Sequence, residues 1–193
     1  MPSVDDFKRA MVVIAHPDDA EWGCSASVAK WCRLGWDVIY VLCTDGSKGT
    51  DDRTITPEKL AEIRAKEQIN AGKTLGLTNV EFLGYPDGYL EPTLDVRKDI
   101  SRQIRKWKPD VLITTSPTRD LGNSEYIGHP DHFAAGEAAL SAVFPSARDH
   151  LTFPELLQDE GLEPHKVREV WVMAYGDNAN YWNPLTKQDV ETA

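Results

Sequence analysis

Short apolar runs alternate with helix-like stretches along most of this chain, and this alternation constrains the fold more than any other feature. The apolar runs, rich in β-branched residues, predict strands at 11–15, 38–42, 80–83, 111–114 and 170–174. The stretches between them predict helices at 21–34, 57–75, 93–107 and 131–144. This spacing predicts an α/β fold, a Rossmann-like three-layer domain with a mainly parallel sheet, and we expect residues 1–193 to form that single domain.

The charge and composition of the chain narrow the classes of partner and compartment. A formal net charge of −10 argues against a nucleic-acid or anionic membrane surface, because binding phosphates requires a basic footprint. No apolar run approaches the roughly 20 residues of a membrane span, and residues 1–8 lack the layout of a signal peptide. Three cysteines without a C-x-x-C pair predict packing residues and no disulfide framework. We expect a cytoplasmic protein, and a homo-oligomer is among the assembly states that the sequence allows.

The first chemically informative segment, AHPDDAE at 15–21, directly follows the first predicted strand. Open α/β sheets bind their ligands at the carboxyl ends of strands, so His16, Asp18 and Asp19 are delivered to that edge. Two adjacent carboxylates beside an imidazole are electrostatically costly unless a cation neutralises them. The alternative is that both aspartates only cap the helix that begins near Ala20.

A second segment, GHPDH at 128–132, stands at the start of the fourth predicted helix. His129 and His132 are three residues apart, so their side chains can face one direction. Two separate His-Pro-Asp clusters at element boundaries supply a mixed nitrogen and oxygen ligand set with spare acid–base groups. Two neutral imidazoles and one carboxylate with an open position are the usual ligands of catalytic zinc, and the same donors also suit iron(II).

With these two motifs the chain resembles the LmbE-like de-N-acetylase superfamily, also called the PIG-L family. Relatives include the deacetylases of mycothiol and bacillithiol synthesis and the diacetylchitobiose deacetylases. Between the motifs, the family's helix pattern is matched by Arg64, Glu67, Ala71, Leu75 and Gly76. The resemblance implies that Zn²⁺, with Fe²⁺ or another divalent metal as the alternative, is held by His16, Asp19 and His132.

The resemblance also implies roles for residues outside the ligand set. It makes Asp18 the general base, and it makes His129 the residue that stabilises the oxyanion or protonates the leaving amine, oriented by Asp131. Arg64 resembles the substrate-contacting arginine of the family, and Asp87 falls where some relatives place a sugar-binding acid. The implied substrate is a small amino-sugar derivative of the N-acetylglucosamine type.

Two charged residues in the second predicted helix fall on its apolar stripe. Leu60, Ala71 and Leu75 form that stripe on a helical wheel, and Arg64 and Glu67 lie inside it. Charges on a core-facing stripe are rarely left unpaired, so we expect an Arg64–Glu67 contact near the floor of the pocket. The alternative is that both side chains extend past small neighbours to solvent.

Three hypotheses for function follow from the sequence. The leading one is a zinc-dependent hydrolase that removes an N-acetyl group from a small amino-sugar derivative. The second is a non-catalytic, receiver-like signalling module, which would also carry an aspartate pair after its first strand but has no need of two His-Pro-Asp clusters. The third is a metal-binding protein that has lost catalytic activity.

Overall fold

A five-stranded sheet forms the centre of the protein, which a computed structural model describes for residues 7–122, 126–174 and 179–193. The described strands are β1 (Arg9–Ile14), β2 (Asp37–Thr44), β3 (Asn79–Tyr85), β4 (Val111–Thr114) and β5 (Glu169–Val172). Their order is β3-β2-β1-β4-β5, and every neighbouring pair is parallel. The predicted α/β fold with a mainly parallel sheet is confirmed.

Each of the four predicted helices corresponds to helical structure in the protein, but several helices begin or end at other residues than predicted. They are α1 (Asp19–Gly23), α2 (Ser25–Arg33), α3 (Pro57–Leu75), α4 (Leu94–Trp107), α5 (Pro130–Ser141), α6 (Glu155–Gln158) and α7 (Lys187–Thr192). The predicted helix 21–34 is divided at Cys24. The predicted helix 131–144 ends at Ser141, and a π-helical turn follows at Ala142–Ser146.

The sheet lies between two helical layers because both of its faces are apolar. One face packs α4 and α5 against residues such as Met11, Val13 and Val41. The opposite face packs α1, α2 and α3 against Val12 and Tyr40. All three cysteines are free, and Cys43 is fully buried in the core.

The change of layer in the middle of the sheet positions the candidate site. The helices that lead away from β1 and β2 cover one face, whereas those that follow β3 and β4 cover the other. Chain connections therefore diverge between the neighbouring strands β1 and β4, and such a switch point leaves a crevice at the carboxyl ends of the strands.

From the sequence we expect neither a signal peptide nor a membrane-spanning segment. Residues 1–6, which make up most of the segment predicted to lack a signal-peptide layout, lie outside the described residues. Within the part of the chain that the structure describes, no helix has both the length and the apolar composition that a membrane crossing requires.

Candidate metal centre and active site

Three side chains from two distant segments meet at the carboxyl end of β1. His16 follows β1, Asp19 opens α1, and His132 lies in the first turn of α5. His132 Nε2 lies 3.0 Å from Asp19 Oδ1 and 3.3 Å from His16 Nδ1. His16 Nδ1 lies 3.5 Å from Asp19 Oδ2. One nitrogen of each ring and the carboxylate therefore surround a common point.

The spacing and chemistry of these donors fit a divalent metal ion. Zinc bonds of about 2.0–2.2 Å place two tetrahedral ligand atoms about 3.3–3.6 Å apart, close to the separations between the His16, Asp19 and His132 donors. Burial alone would raise the pKa of Asp19, but hydrogen bonds with His132 and His16 hold it below its ordinary value. The carboxylate is therefore anionic at neutral pH, as a metal ligand must be.

The backbone between β1 and α1 turns the two neighbouring aspartates in different directions. Asp18 has a φ of 83°, in the left-handed region that Asp tolerates better than most residues. Asp19 Oδ2 accepts the backbone N–H of His16 at 2.8 Å, which turns this carboxylate inward. The side chain of Asp18 remains 59% exposed at the rim of the donor cluster.

Arg64 reaches from α3 to hold Asp18. Its Nη2 atom donates to Asp18 Oδ2 at 2.9 Å and to the carbonyl oxygen of Pro17 at 2.6 Å. Gln68, two turns along α3 from Leu60, accepts the backbone N–H of Asp18 at 3.0 Å. Burial raises the pKa of Asp18 above its ordinary value, against the opposing charge of Arg64. A raised pKa makes this carboxylate a better proton acceptor near neutral pH.

The predicted contact between Arg64 and Glu67 is wrong. Arg64 pairs with Asp18, and Glu67 is exposed on the outer side of α3. The buried residues of this helix are Leu60, Gln68, Gly72 and Leu75. Gln68, which is 2% exposed, therefore occupies the inward position that we expected for Glu67, and it also donates to Glu21 Oε1 at 3.0 Å.

His129 is the N-cap residue of α5, and a backbone hydrogen bond fixes the orientation of its ring. Its Nδ1 atom accepts the N–H of Asp131 at 3.2 Å, so the proton of the neutral ring sits on Nε2. The His129 ring centroid lies 4.6 Å from that of His16 and 5.4 Å from that of His132. Burial and the charge of His16 lower the pKa of His129, which favours the neutral ring.

The same cluster also offers a three-imidazole set of donors. A ring nitrogen of His129 lies within 4.8 Å of those of His16 and His132. The 3.0 Å separation between Asp19 Oδ1 and His132 Nε2 favours Asp19 as the third donor, because an anionic carboxylate also offsets the charge of the cation. His129 then remains available as an acid–base or hydrogen-bonding group.

Two buried carboxylates, those of Asp87 and Asp131, lie behind the His16 ring. Asp131 Oδ2 and Asp87 Oδ1 each lie 3.1 Å from His16 Nε2. Asp131 contacts His129 through its backbone N–H, as expected of a residue that orients this ring, and its carboxylate lies 3.9 Å from His129 Nδ1. Asp87 was expected to bind a sugar, but its 6% exposed side chain faces His16 and not the open cleft.

Three supporting residues were missed by the sequence analysis. The Thr115 hydroxyl donates to the carbonyl oxygen of His132 at 2.6 Å and ties α5 to the end of β4. The backbone N–H of Lys48 donates to Asp87 Oδ2 at 2.9 Å, and Gln68 holds the Asp18 turn. Thr115 and Lys48 follow strand ends, so extending the strand-end rule to every strand would have found them.

A cleft of about 1330 Å³ opens beside the donor cluster. Asp19 and His132 form part of its wall, and the remainder comes from α1, β5, the loop after β4 and the segment after residue 178. Trp22 and Tyr181, both largely exposed, line it. Small-molecule pockets are usually about 300–1,000 Å³, so this cleft has room for more than one sugar ring.

Comparison with known proteins relates this site to a group of deacetylases. The family model described as PIG-L, GlcNAc-PI de-N-acetylase, matches residues 11–143. The chain is 33% identical to the diacetylchitobiose deacetylase of Thermococcus kodakarensis over 92% of its own length, and 32% identical to the mycothiol S-conjugate amidase of Streptomyces coelicolor over 84%. These alignments cover 64% and 60% of the two relatives, so the chain spans less than two thirds of either.

A solved structure shows the same architecture over nearly the whole chain. The N,N'-diacetylchitobiose deacetylase of Pyrococcus horikoshii, in complex with its inhibitor MPG, superposes with a TM-score of 0.85 at 30% sequence identity. The match covers 97% of this chain and 69% of that one. Both His-Pro-Asp segments of the chain fall inside the residues that the family model matches.

Proposed function

Because the chain belongs to the PIG-L family of GlcNAc-PI de-N-acetylases, we propose that it is a metal-dependent amidohydrolase that removes the acetyl group from an N-acetylglucosamine derivative. The observation that carries this proposal is the convergence of His16, Asp19 and His132, whose donor atoms lie 3.0–3.5 Å apart. Two imidazoles and a carboxylate favour zinc, and iron(II) is the alternative for the same donors. The enzyme class follows from what the surrounding residues can do to an amide.

Asp18 is the proposed general base. A zinc ion would be held by His16, Asp19 and His132, where it would act as a Lewis acid and lower the pKa of bound water to roughly 7. Asp18, exposed at the rim and fixed by Arg64, takes a proton from the attacking water as the new C–O bond forms. The same carboxyl group returns that proton to the nitrogen when the C–N bond breaks, so acetate and a primary amine are released.

His129 is proposed to stabilise the negative charge that develops on the amide oxygen. Its Nδ1 atom is occupied by the N–H of Asp131, which leaves the Nε2–H as a donor beside the cluster. A donor fixed before the reaction stabilises an oxyanion without having to reorganise, and the loss of one such donor commonly costs about 10²–10³-fold in turnover. The backbone-fixed tautomer favours this role over protonation of the leaving amine.

The substrate class is inferred from relatives and from the cleft. The two relatives named above are a deacetylase of an amino-sugar disaccharide and an amidase, and the cleft has space beyond the acetamido group for a substituent. Arg64, whose Nη2 atom holds Asp18, has a planar guanidinium of the kind that suits sugar hydroxyls. We therefore propose a small substituted N-acetylglucosamine as substrate, and neither a peptide nor a phosphodiester.

Elemental analysis combined with an amine-release assay tests this function. We expect one zinc ion per chain, primary-amine release from N-acetylated amino sugars, and no cleavage of peptides or phosphodiesters. In His132→Ala, metal content and activity should fall together because one of the three donors is gone. Full metal occupancy in that variant would remove His132 from the ligand set.

The same assay separates the remaining hypotheses. A protein that binds metal and releases no amine from any amide substrate is the inactive metal-binding protein. Efficient cleavage of a different amide or of an ester would replace the substrate class and keep the metal site. The family membership and the meeting of the two His-Pro-Asp segments favour the hydrolase over a signalling module.

A further inference from the structure

The ring of His16 is contacted on both of its nitrogens, and the two sides differ in chemistry. Nδ1 faces Asp19 and His132, the proposed metal side. Nε2 faces two carboxylates, Asp87 Oδ1 and Asp131 Oδ2, each at 3.1 Å. Asp87 is 5% exposed and Asp131 is fully buried, so both carboxylates belong to the interior of the protein and not to its charged surface.

Both carboxylates are anchored by backbone N–H groups from loops that follow strands. Asp131 Oδ2 accepts the N–H of Gly88 at 2.7 Å, and Asp131 Oδ1 accepts that of Leu90 at 3.2 Å. Asp87 Oδ2 accepts the N–H of Lys48 at 2.9 Å, and the Lys48 ammonium donates to the Asp87 carbonyl oxygen. The loops after β2 and β3 and the start of α5 therefore all end on one edge of the His16 ring.

This arrangement decides which nitrogen of His16 carries the proton. Ionised carboxylates accept hydrogen bonds and cannot donate them, and two of them lie 3.1 Å from Nε2 whereas one lies 3.5 Å from Nδ1, so Nε2 is the favoured site of the proton in the neutral ring. The Nδ1 lone pair is then directed at Asp19 and His132. His16, Asp87 and Asp131 also lie close enough to one another to hold a cation. Backbone N–H groups already donate to both carboxylates, however, which favours a hydrogen-bonding role for them.

We propose that Asp87 and Asp131 are positioning residues that clamp the His16 ring and thereby set the affinity of the centre for its metal. In metal sites, a carboxylate on the far nitrogen of a ligating histidine fixes the tautomer and raises ligand basicity. Losing such a partner typically costs 10–100-fold in metal affinity. The inference rests on the proposed function, and it gives Asp87 a role in addition to the sugar contact expected from the sequence.

Asp87→Asn tests the clamp directly. An amide offers one oxygen, whereas Asp87 accepts through both of its oxygens, so either the His16 or the Lys48 contact must be lost. The matched control is Asp110→Asn, a buried aspartate at the amino-terminal end of β4, far from the site; its Oδ2 accepts the N–H groups of Lys8 and Arg9, and its Oδ1 lies 3.7 Å from Arg168 Nε. Zinc dissociation constants are measured by competition with a chromophoric chelator, without any substrate.

We expect the zinc dissociation constant to rise about 10–100-fold in Asp87→Asn and to stay near the wild-type value in Asp110→Asn. Wild-type zinc affinity in Asp87→Asn would overturn the inference, whatever the KM of the zinc-saturated variant, and would leave Asp87 with a sugar-binding role alone. If Asp87→Asn does not fold, Asp87→Ala serves in its place, because it removes the carboxylate without introducing a mismatched amide.

A second measurement decides the clamp independently of metal binding. In the metal-free protein, NMR of the His16 ring reports whether Nε2 carries a hydrogen-bonded proton. We expect that proton in the wild type, with its resonance shifted in Asp87→Asn and unshifted in Asp110→Asn. A wild-type protein that binds no metal would refute the proposed function, whereas an His16 ring protonated only on Nδ1 would refute the clamp.

Discussion

Asp18 and Asp19 are neighbours in the chain, yet their carboxylates act on different partners. The backbone of Asp18 is in the left-handed region, so the side chains of the two residues point in different directions. Asp19 faces His16 and His132, whereas Asp18 lies at the rim and pairs with Arg64. One short turn therefore provides a buried anion for a cation and an accessible base for water.

Replacing Asp18 with Asn should separate these two duties. We expect turnover to fall by about 10²-fold or more, the usual scale for loss of a general base, because the amide cannot accept the proton. Zinc content should remain normal, since the Asp19 donor is untouched. Steady-state kinetics and elemental analysis check this pair of outcomes, and near-wild-type turnover would rule out Asp18 as the base.

Arg64 opposes the effect of burial on the pKa of Asp18, and this predicts the direction of a pH effect. A base must be deprotonated, so activity is present above its pKa and is lost as the pH falls through it. The charge of Arg64 lowers the pKa of Asp18 against the effect of burial. Arg64→Gln should therefore move the acid limb of the kcat/KM profile to higher pH.

Arg64→Lys is the matched control for that shift. It keeps the positive charge and loses the planar guanidinium, whose Nη2 atom donates to both Pro17 and Asp18, so its acid limb should stay near that of the wild type while KM rises. The pH profiles of the three proteins check this. Equal displacement in both variants would mean that the geometry of Arg64, and not its charge, sets the pKa of Asp18.

The meeting of His16, Asp19 and His132 could be anticipated from the sequence, whereas the partners of each side chain could not. Both motifs follow from strand ends and helix starts, which parallel topology brings to one edge. The choice of Gln68 over Glu67 as the inward residue depends on how α3 rotates against the sheet, which its weak apolar pattern does not fix. The position of Asp87 behind His16 depends on contacts between three loops.

At the scale of elements, the strands were predicted better than the helix ends. A strand buried on both faces is read directly from a continuous apolar run, and β4 has the predicted bounds, Val111–Thr114. The break at Cys24 and the π-helical turn after Ser141 leave the apolar pattern almost unchanged, so periodicity does not reveal them. Helices α6 and α7 are too short to show a period.

Close packing of α5 against the end of β4 gives the prediction at this scale. A Cβ atom on Gly136 would lie 2.4 Å from the carbonyl oxygen of Thr115, a backbone atom that cannot move independently. Gly136→Ala should push α5 away from β4 and displace His132, whose carbonyl oxygen is held by Thr115. We expect a loss of about 1–3 kcal/mol in the free energy of unfolding, the usual scale of overpacking, and weaker zinc binding.

Gly72→Ala in α3 is the control for the overpacking in α5. Its Cβ would meet only the side-chain ends of Leu77 and Val80 at 3.0 Å, which can adjust, and the higher helix propensity of Ala offsets part of the strain. Urea unfolding and chelator competition compare the two variants. Unchanged zinc affinity in Gly136→Ala would show that the α5–β4 contact does not position His132.

At the scale of the whole molecule, the cleft joins parts of the fold that lie far apart in sequence. Trp171 on β5 is fixed between Trp31 of α2 and Tyr181 near the C-terminal helix, at centroid distances of 5.1 and 5.0 Å. Arg33 also binds α7 through Asp189, which is 1% exposed. The C-terminal segment is therefore held against α2, and one wall of the cleft is fixed before any substrate enters.

Trp22 allows the size of the proposed substrate to be tested. It lies one helical turn after Asp19, lines the cleft and is 85% exposed, so its ring is placed to pack against a sugar or other substituent beyond the acetamido group. Trp22→Ala should lower kcat/KM for N,N'-diacetylchitobiose roughly five- to tenfold, equivalent to about 1–1.4 kcal/mol of lost apolar contact. Activity on N-acetylglucosamine should change little.

Trp182→Ala, which removes a 70% exposed tryptophan that does not line the cleft, should leave both values unchanged. Equal losses on both substrates in Trp22→Ala would place this ring at the acetamido sugar itself.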